Sequence, residues 1–165
     1  MKDLFIMMGV PGSGKSTFVD KYMKGAVHVS RDEIRFSLLK EGDKYFDREK
    51  EVFEIFYKTI NRVLESSHMV VADATHLNPQ SRNKLLSRLR YDKNKVRVNI
   101  IYMATPLETC LQRNETRRGT KAYVPPHNLI EMYENLREPN FEECFGAIDV
   151  IYKVTPERVE RITRG

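Results

Sequence analysis

The segment from Gly9 to Ser16, Gly-Val-Pro-Gly-Ser-Gly-Lys-Ser, constrains the fold of this chain more than any other feature. It satisfies the pattern G-x-x-x-x-G-K-[S/T], whose glycines let backbone N–H groups turn inward around phosphate oxygens. The apolar run Leu4–Met8 before it predicts a buried strand, and the residues from Ser16 to about Lys24 predict a helix. A strand, this loop and a helix in that order indicate a phosphate-binding loop; the alternative is a glycine-rich turn that holds no ligand.

The chemistry of such a loop predicts its cofactors. The lysine reaches the β- and γ-phosphates of ATP, the following hydroxyl binds Mg²⁺, and the N-terminus of the helix adds partial positive charge. We therefore expect ATP and Mg²⁺ as cofactors, with Lys15 in catalysis and Ser16 as a metal ligand. The residues expected to hold the nucleotide are Gly12, Ser13, Gly14, Lys15, Ser16 and Thr17.

Length and composition limit the class of protein. The chain has 165 residues, 41% hydrophobic and 31% charged, so we expect a single folded domain over residues 1–165. No apolar run approaches the roughly 20 residues of a membrane span, and the N-terminus does not resemble a signal peptide. Cys110 and Cys144 lack metal-ligand spacing, which favours reduced thiols in a cytoplasmic protein. The net charge of +5 suits a polyanionic partner, but many small proteins share such an excess.

Strand-like and helix-like segments alternate, which predicts an α/β fold with a mostly parallel sheet of about five strands and helices on both faces. Capping boxes at Ser30–Glu33 and Thr105–Glu108 mark two helix starts. The predicted strands are Leu4–Met8, 27–29, Met69–Asp73, Val96–Met103 and 148–154. After the helix that follows the phosphate loop, the predicted helices begin after Ser30 and run over about 47–66, 78–90, 105–116 and 129–137, with a short helix at the C-terminus.

Asp32 and Arg35 follow the second predicted strand. Ligands of open parallel sheets gather at the carboxyl ends of the strands, so Asp32 should lie near the γ-phosphate. A hydroxyl acceptor needs a base or an oriented hydrogen-bond acceptor, and Asp32 could fill that role. The alternative is a first-turn acid that complements the helix dipole. Arg35, one turn further along, could hold an acceptor phosphate or simply pair with Asp32.

The third predicted strand ends in Asp73. A carboxylate at this position could hold Mg²⁺ through water or contact the acceptor, or it could be a turn aspartate. His76 lies in the loop that follows, and we interpret it as a surface hydrogen-bonding residue rather than a catalytic one.

A basic segment, Arg113–Lys121, contains one glycine and four cationic side chains. Phosphoryl transfer needs positive charge that can approach the phosphates once ATP is bound, and such a segment suits a lid. The alternative is a solvated run of charge. The candidate lid arginines are Arg113, Arg117 and Arg118.

Together these blocks resemble the kinase domain of the bacteriophage polynucleotide 5′-kinase family, in order and spacing over most of residues 1–140. The phosphate loop is shared by many enzymes, whereas the Arg-Asp-x-x-Arg and Arg-Gly-Thr-Lys-Ala blocks are much more specific. The matching segments are Gly9–Ser16, Ser30–Arg35, Asp73–Pro79 and 113–125.

The resemblance implies a P-loop kinase fold with an arginine-rich lid and a role for each matched residue. Asp32 would be the general base that activates a 5′-hydroxyl, and Arg35 would bind the 3′-phosphate of the acceptor. Lys15 and Ser16 would bind ATP and Mg²⁺, Asp73 would be an acidic residue of the active site, and Arg113 with either Arg117 or Arg118 would supply the lid arginines. Near the acceptor the resemblance also implies Thr75 and Val124.

Two departures from the family pattern affect these roles. The lid has one extra residue, so the second lid arginine is not assigned uniquely, and Tyr123 is inserted before Val124. No Asp-x-Asp-x-Thr phosphatase motif is present, so we expect kinase activity only. The expected function is transfer of the γ-phosphate of ATP to the 5′-hydroxyl of DNA or RNA. The alternatives are a P-loop kinase for a nucleoside, sugar, antibiotic or nucleotide sugar, and a nucleotide-binding module without an acceptor.

Overall fold

The computed structural model describes residues 1–165, and its elements alternate as the sequence pattern predicts. The strands are β1 (Lys2–Met8), β2 (Val27–Ser30), β3 (Met69–Asp73), β4 (Val96–Met103), β5 (Val150–Val154) and β6 (Val159–Thr163). The helices are α1 (Lys15–Tyr22), α2 (Arg31–Leu38), α3 (Glu49–Ser66), α4 (Pro79–Arg88), α5 (Leu107–Glu115) and α6 (Pro126–Glu134).

The six strands form one sheet in the order β2-β3-β1-β4-β5-β6, in which β1 to β5 are parallel and β6 is antiparallel to β5. β1 lies at the centre, where Met7 pairs in register with Asp73 of β3 and Ile101 of β4. The carboxyl ends of these strands therefore meet at one edge of the sheet, and the phosphate loop begins there.

Both faces of the central strand are buried, which explains its continuous apolar sequence. Leu4 and Ile6 are fully buried in a cluster with Phe56 and Ile60 of α3. Met7 points to the other face, where it packs in a smaller cluster with Val19 of α1. Helices on both faces were predicted and are observed.

The predicted C-terminal helix is wrong, because Val159–Thr163 is the sixth strand. The sequence Thr155-Pro156-Glu157-Arg158 makes the turn: the Thr155 N–H donates to the Arg158 carbonyl at 2.9 Å, and the Arg158 N–H donates to the Thr155 hydroxyl at 3.3 Å. Proline fits the second position of such a turn. The unpaired edge of β5 then supplies the backbone partners that a helix would have supplied internally.

Neither predicted capping box forms in full. Ser30 caps α2 by accepting a hydrogen bond from the Glu33 N–H at 3.2 Å, as predicted, but the Glu33 side chain makes no return hydrogen bond. Thr105 caps no helix, because α5 begins only at Leu107 with Pro106 at its N-cap. The Thr105 hydroxyl donates instead to the Ser13 carbonyl at 2.7 Å, which ties the phosphate loop to the end of β4.

No helix combines the length and the apolar character needed to cross a membrane.

A buried ion pair holds α4 and the loop after β3 against the C-terminal part of the chain. Arg82 is fully buried and donates from Nε and Nη2 to the two carboxylate oxygens of Glu143 at 2.6 and 2.9 Å. It also donates to the His76 carbonyl at 2.8 Å. Glu143 accepts a further hydrogen bond from the Asn140 N–H at 2.9 Å. The pair therefore fixes the loop that follows Asp73.

Replacing Arg82 by alanine should strongly destabilise the fold, because it leaves the Glu143 carboxylate buried without its partner. Loss of one partner of a buried pair costs about 3–5 kcal/mol. The matched control is Arg88→Ala on the same helix, whose ion pair with Glu54 is exposed and should contribute about 1 kcal/mol or less. Urea unfolding measures both, and equal losses for the two variants would contradict the structural role given to Arg82.

Candidate active site

The phosphate loop is shaped by glycines that other residues could not replace. Gly12 and Gly14 have φ angles of 83° and 97°, in the left-handed region that favours glycine. A Cβ atom on Gly12 would lie 2.8 Å from the Cys110 carbonyl oxygen of α5. The loop is therefore packed against α5. The Ser13 hydroxyl is buried inside it and has no hydrogen-bond partner in the protein.

Lys15 is buried at the centre of this loop. Its Nζ donates to the carbonyls of Gly9 and Val10 at 2.9 and 3.2 Å. Burial lowers the pKa of Lys15, and the negative charges of Asp73 and Asp32 partly oppose that effect. Asp32 and Asp73, the two carboxylates predicted from the sequence, therefore both stabilise the ammonium form of Lys15.

A large cavity of about 540 Å³ opens on the α1 side of the loop. Thr17 lines it, together with Phe18, Thr109 and the residues of the β5–β6 turn. Arg113 reaches into it and donates to the Gly12 carbonyl at 3.0 Å. The loop residues that line this cavity are Gly12, Ser13 and Gly14.

The structure separates the two remaining lid arginines. Arg117 lines the large cavity beside Arg113. Arg118 does not, because its guanidinium bonds both carboxylate oxygens of Glu115 at 2.9 and 3.0 Å and lies 4.9 Å from the centre of the Tyr123 ring. Arg118 and Glu115 are both exposed, so Arg118 lies on the outer face of the lid segment.

Asp73 gathers two polar partners at the end of β3. Its Oδ2 accepts a hydrogen bond from the Ser16 hydroxyl at 2.9 Å and lies 2.7 Å from Nε2 of His28. Burial would raise the pKa of Asp73, but the His28 hydrogen bond and the Lys15 charge outweigh it, and the net shift is downward. The hydrogen bond to Asp73 also raises the pKa of His28, against the opposing effect of burial. Asp73 is therefore a stable carboxylate.

No group of three or more His, Cys, Asp or Glu residues could hold a metal ion by itself. A cation at this edge would meet the Ser16 hydroxyl with Asp73 behind it, and it would need further oxygen ligands from a bound phosphate or from water.

Asp32 is held through one oxygen only. Its Oδ1 accepts hydrogen bonds from the Tyr45 hydroxyl at 3.0 Å and from Nη1 of Arg35, whereas Oδ2 has no protein partner. The side chain is 46% exposed. Burial and the Asp32 charge raise the pKa of Tyr45, so its hydroxyl remains a donor. One oxygen of Asp32 is thus anchored while the other is free.

Arg35 is the most buried member of this network, with 3% of its side chain exposed. Nε and Nη2 donate to the carboxylate of Glu49 on α3 at 2.6 and 2.9 Å. Nη1 donates to Asp32 and to the Tyr45 hydroxyl. The intrahelical pair with Asp32, which was the structural alternative for Arg35, is therefore present, and a second carboxylate holds the same guanidinium.

A small cavity of about 50 Å³ joins the two halves of the site. Lys15 and Asp32 both line it, as do Arg35 and Thr75. Thr75 presents its hydroxyl to Arg31, whose Nη2 donates to it at 3.0 Å. The structure thus brings these four sequence-predicted residues to one place.

Two expectations do not fit this arrangement. Val124 is fully buried in a cluster with Val10, Cys110 and Leu129, so its side chain presents no surface to an acceptor. The cause is the hydrogen-bond pair between Asn114 and the backbone of Val124, which pulls the residue inward. The interpretation of His76 as a surface residue is wrong. It is buried, with Nδ1 2.7 Å from the Met7 carbonyl, and burial lowers its pKa to about 3.

Sequence reasoning missed four residues of the site: His28, Tyr45, Glu49 and Thr105. His28 lies on β2 two residues before Ser30, which is the register partner of Asp73. Side chains two residues apart on a strand point to the same face, so the position of His28 was a usable signal. Thr105 was noticed, but as a helix cap. Tyr45 and Glu49 carried no signal, because Tyr45 lies in the connection before α3 and Glu49 at the first residue of that helix, and both contact α2 over a distance in the chain that no sequence period marks.

The order of the strands, the phosphate loop after β1 and the arginine-bearing segment after α5 define a P-loop kinase fold. The model of the family described as an AAA domain matches residues 4–139, so the chain belongs to that family. It is accordingly a nucleotide-binding P-loop kinase domain, of the phosphotransferase class.

Two curated relatives match most of the chain. One, from Autographa californica nuclear polyhedrosis virus, is provisionally named a bifunctional polynucleotide kinase/RNA ligase; it is 27% identical over 86% of this chain and 22% of its own length. The other is the L-seryl-tRNA(Sec) kinase of Methanococcus maripaludis, 29% identical over 92% of this chain and 59% of its own length. The chain thus spans between about one fifth and three fifths of these relatives.

Solved structures share the fold at low identity. A chain of the Pnkp1/Rnl/Hen1 RNA repair complex superposes with a TM-score of 0.67, at 22% identity over 82% of this chain and 44% of that one. A sugar kinase from Janibacter sp. HTCC2649 superposes with a TM-score of 0.62, at 16% identity over 95% of this chain and 89% of that one.

The buried His76 should make stability fall in mild acid. Its folded pKa lies below the ordinary value of about 6.5, so the unfolded chain takes up the proton first as the pH falls through that value. Between pH 7 and pH 5 this single group should cost about 2 kcal/mol of unfolding free energy. Urea unfolding at the two pH values measures it.

His76→Gln should lack this part of the pH dependence, whereas His68→Gln, at an exposed position, should keep it. An unchanged pH slope in His76→Gln would mean that His76 is not held neutral in the fold.

Proposed function

We propose that the protein is an ATP-dependent polynucleotide kinase that transfers the γ-phosphate of ATP to the 5′-hydroxyl of DNA or RNA. The observation that carries this proposal is the small cavity that Lys15 and Asp32 share. A phosphate-loop lysine and a carboxylate with one free oxygen face the same space, which is what transfer to a hydroxyl requires.

The donor half of the site suits ATP. The large cavity adjoins the phosphate loop. The Ser13 hydroxyl in that loop has no hydrogen-bond partner in the protein, so a bound phosphate could supply one. Lys15 would neutralise charge on the β- and γ-phosphates, and Arg113 and Arg117 would stabilise the charge that builds during transfer. Ser16 would ligate Mg²⁺, with Asp73 oriented by His28 behind it. The ion, when bound, neutralises negative charge on the β- and γ-phosphate oxygens.

The acceptor half suits a hydroxyl. Oδ2 of Asp32 would accept the proton of the attacking hydroxyl while Tyr45 and Arg35 hold Oδ1 in place. Arg35 remains the proposed contact for a 3′-phosphate of the acceptor, through the one N–H of Nη2 that Glu49 does not use. The basic net charge and the polynucleotide kinase named among the relatives support a nucleic acid as the acceptor.

A small-molecule acceptor is the second candidate, and two observations favour it. Glu49 and Asp32 neutralise Arg35, which weakens its attraction for a phosphate, and the fold is also that of a sugar kinase. Incubation with γ-labelled ATP and a panel of 5′-hydroxyl DNA, 5′-hydroxyl RNA, seryl-tRNA, nucleosides and sugars decides between the candidates. Label on sugars or nucleosides alone would overturn the nucleic-acid proposal.

Asp32→Asn should lower kcat by about 10²–10⁴-fold with little change in the acceptor KM, because the amide keeps the shape but cannot take a proton. The control is the neighbouring Glu33→Gln, which is exposed and makes no side-chain contact in the site. Steady-state kinetics on both variants tests the role. A kcat of Asp32→Asn close to that of the wild type would show that Asp32 is not the base and only complements the dipole of α2.

Arg117→Ala should lower kcat by about 10-fold or more, because it removes positive charge from the cavity that would hold the phosphates. Arg118→Ala is the matched control: the same substitution one residue further on removes the exposed pair with Glu115 and the contact with the Tyr123 ring, and takes no charge from the large cavity. The kcat of each variant, measured at saturating ATP, assigns the second lid arginine. A larger loss in Arg118→Ala would reverse the assignment.

A further inference from the structure

A second cavity, of about 230 Å³, lies directly beside the small cavity that contains Asp32. Arg31 and Thr75 line both, so the two spaces meet at these residues. The wall of the second cavity comes from Phe53 and Tyr57 of α3 and from Lys84 of α4. No carboxylate lines it, in contrast to the cavity that holds Asp32 and Glu49.

The side chains of this cavity combine aromatic surface with positive charge. The rings of Phe53 and Tyr57 are nearly parallel, with an angle of 12° and centres 6.3 Å apart. Arg31 and Lys84 lie 4.9 and 4.8 Å from the centre of the Phe53 ring. Aromatic rings stack on nucleobases, and cations beside them attract the phosphates of a strand.

Arg31 is half-buried and lacks the carboxylate partner that the buried arginines have. Arg35 is paired with Glu49 and Arg82 with Glu143. Arg31 has no carboxylate within ion-pairing distance, and its one hydrogen bond goes to the Thr75 hydroxyl. Burial and the charge of Arg35 lower its pKa, and the charges of Glu49 and Asp32 partly oppose that effect. A guanidinium that is partly removed from water and has no carboxylate in direct contact is suited to receive an anion from a ligand.

We propose that this cavity binds the second nucleotide of the acceptor strand, with its base on Phe53 and Tyr57 and the phosphate on its own 3′ side between Arg31 and Lys84, while the 3′-phosphate of the first nucleotide stays at Arg35. The inference rests on the proposed function, because it places the first nucleotide at Asp32. A strand that leaves the small cavity past Arg31 and Thr75 enters the second one directly. The site would therefore bind acceptors of two or more nucleotides more tightly than single ones.

The test compares a nucleoside 3′-monophosphate with a 5′-hydroxyl dinucleotide that also carries a terminal 3′-phosphate, as acceptors for the wild type, Phe53→Leu and Lys84→Gln. The wild type should have the lower KM for the dinucleotide. Each variant should raise that KM by about fivefold or more, the low end of what loss of one stacking or phosphate contact causes. The KM for the monophosphate should not change. Lys58→Gln, an exposed lysine of α3 outside the cavity, is the control for charge alone.

Equal effects on both acceptors, or none on the dinucleotide, would overturn the subsite while leaving the proposed kinase activity standing. Lys84 is exposed, so its variant remains informative if Phe53→Leu is unstable. Failure of the proposed function gives a different result, because the wild type itself would then phosphorylate neither acceptor.

Discussion

The parallel pairing of β1 with β3 is the constraint on which the site depends. Met7 lies in register with Asp73, so the strand that leads into the phosphate loop ends beside the strand that carries the carboxylate. The Ser16 hydroxyl then reaches Asp73 across the loop. A slip of one residue in this register would turn Asp73 to the opposite face of the sheet, because side chains alternate along a strand.

Charge in the site is arranged as two anionic groups on either side of one cation. Asp73, held by His28, lies at the end of β3, and Asp32, held by Arg35 and Tyr45, lies at the start of α2. Both oppose the lowering of the pKa of the buried Lys15, which keeps its ammonium form available for phosphate. Arg113 near the end of α5 and Arg117 after it stand apart from this group and line the large cavity.

The sequence predicted the local parts of this structure and missed those that depend on distant contacts. The phosphate loop, Asp73 at a strand end and the Ser30 cap were readable because each is set by neighbours in the chain. The sixth strand was not, because a short polar segment with a few apolar residues takes its form from the free edge of β5 rather than from its own pattern. Thr105 was misassigned for the same reason, since its partner is Ser13.

The candidate site shows the same division. Asp32 could be proposed from its place after a strand, but the residues that hold its network could not. Tyr45, which donates to Asp32, lies in the connection before α3, and Glu49, which pairs with Arg35, is the first residue of α3. Because Glu49 neutralises Arg35, the half-buried Arg31 is the arginine of the acceptor side that has no carboxylate within ion-pairing distance. The charges of this region differ in what they can attract: a phosphate of an acceptor strand would be drawn to the guanidinium of Arg31, whereas only the neutral 5′-hydroxyl can approach the carboxylate of Asp32 without repulsion.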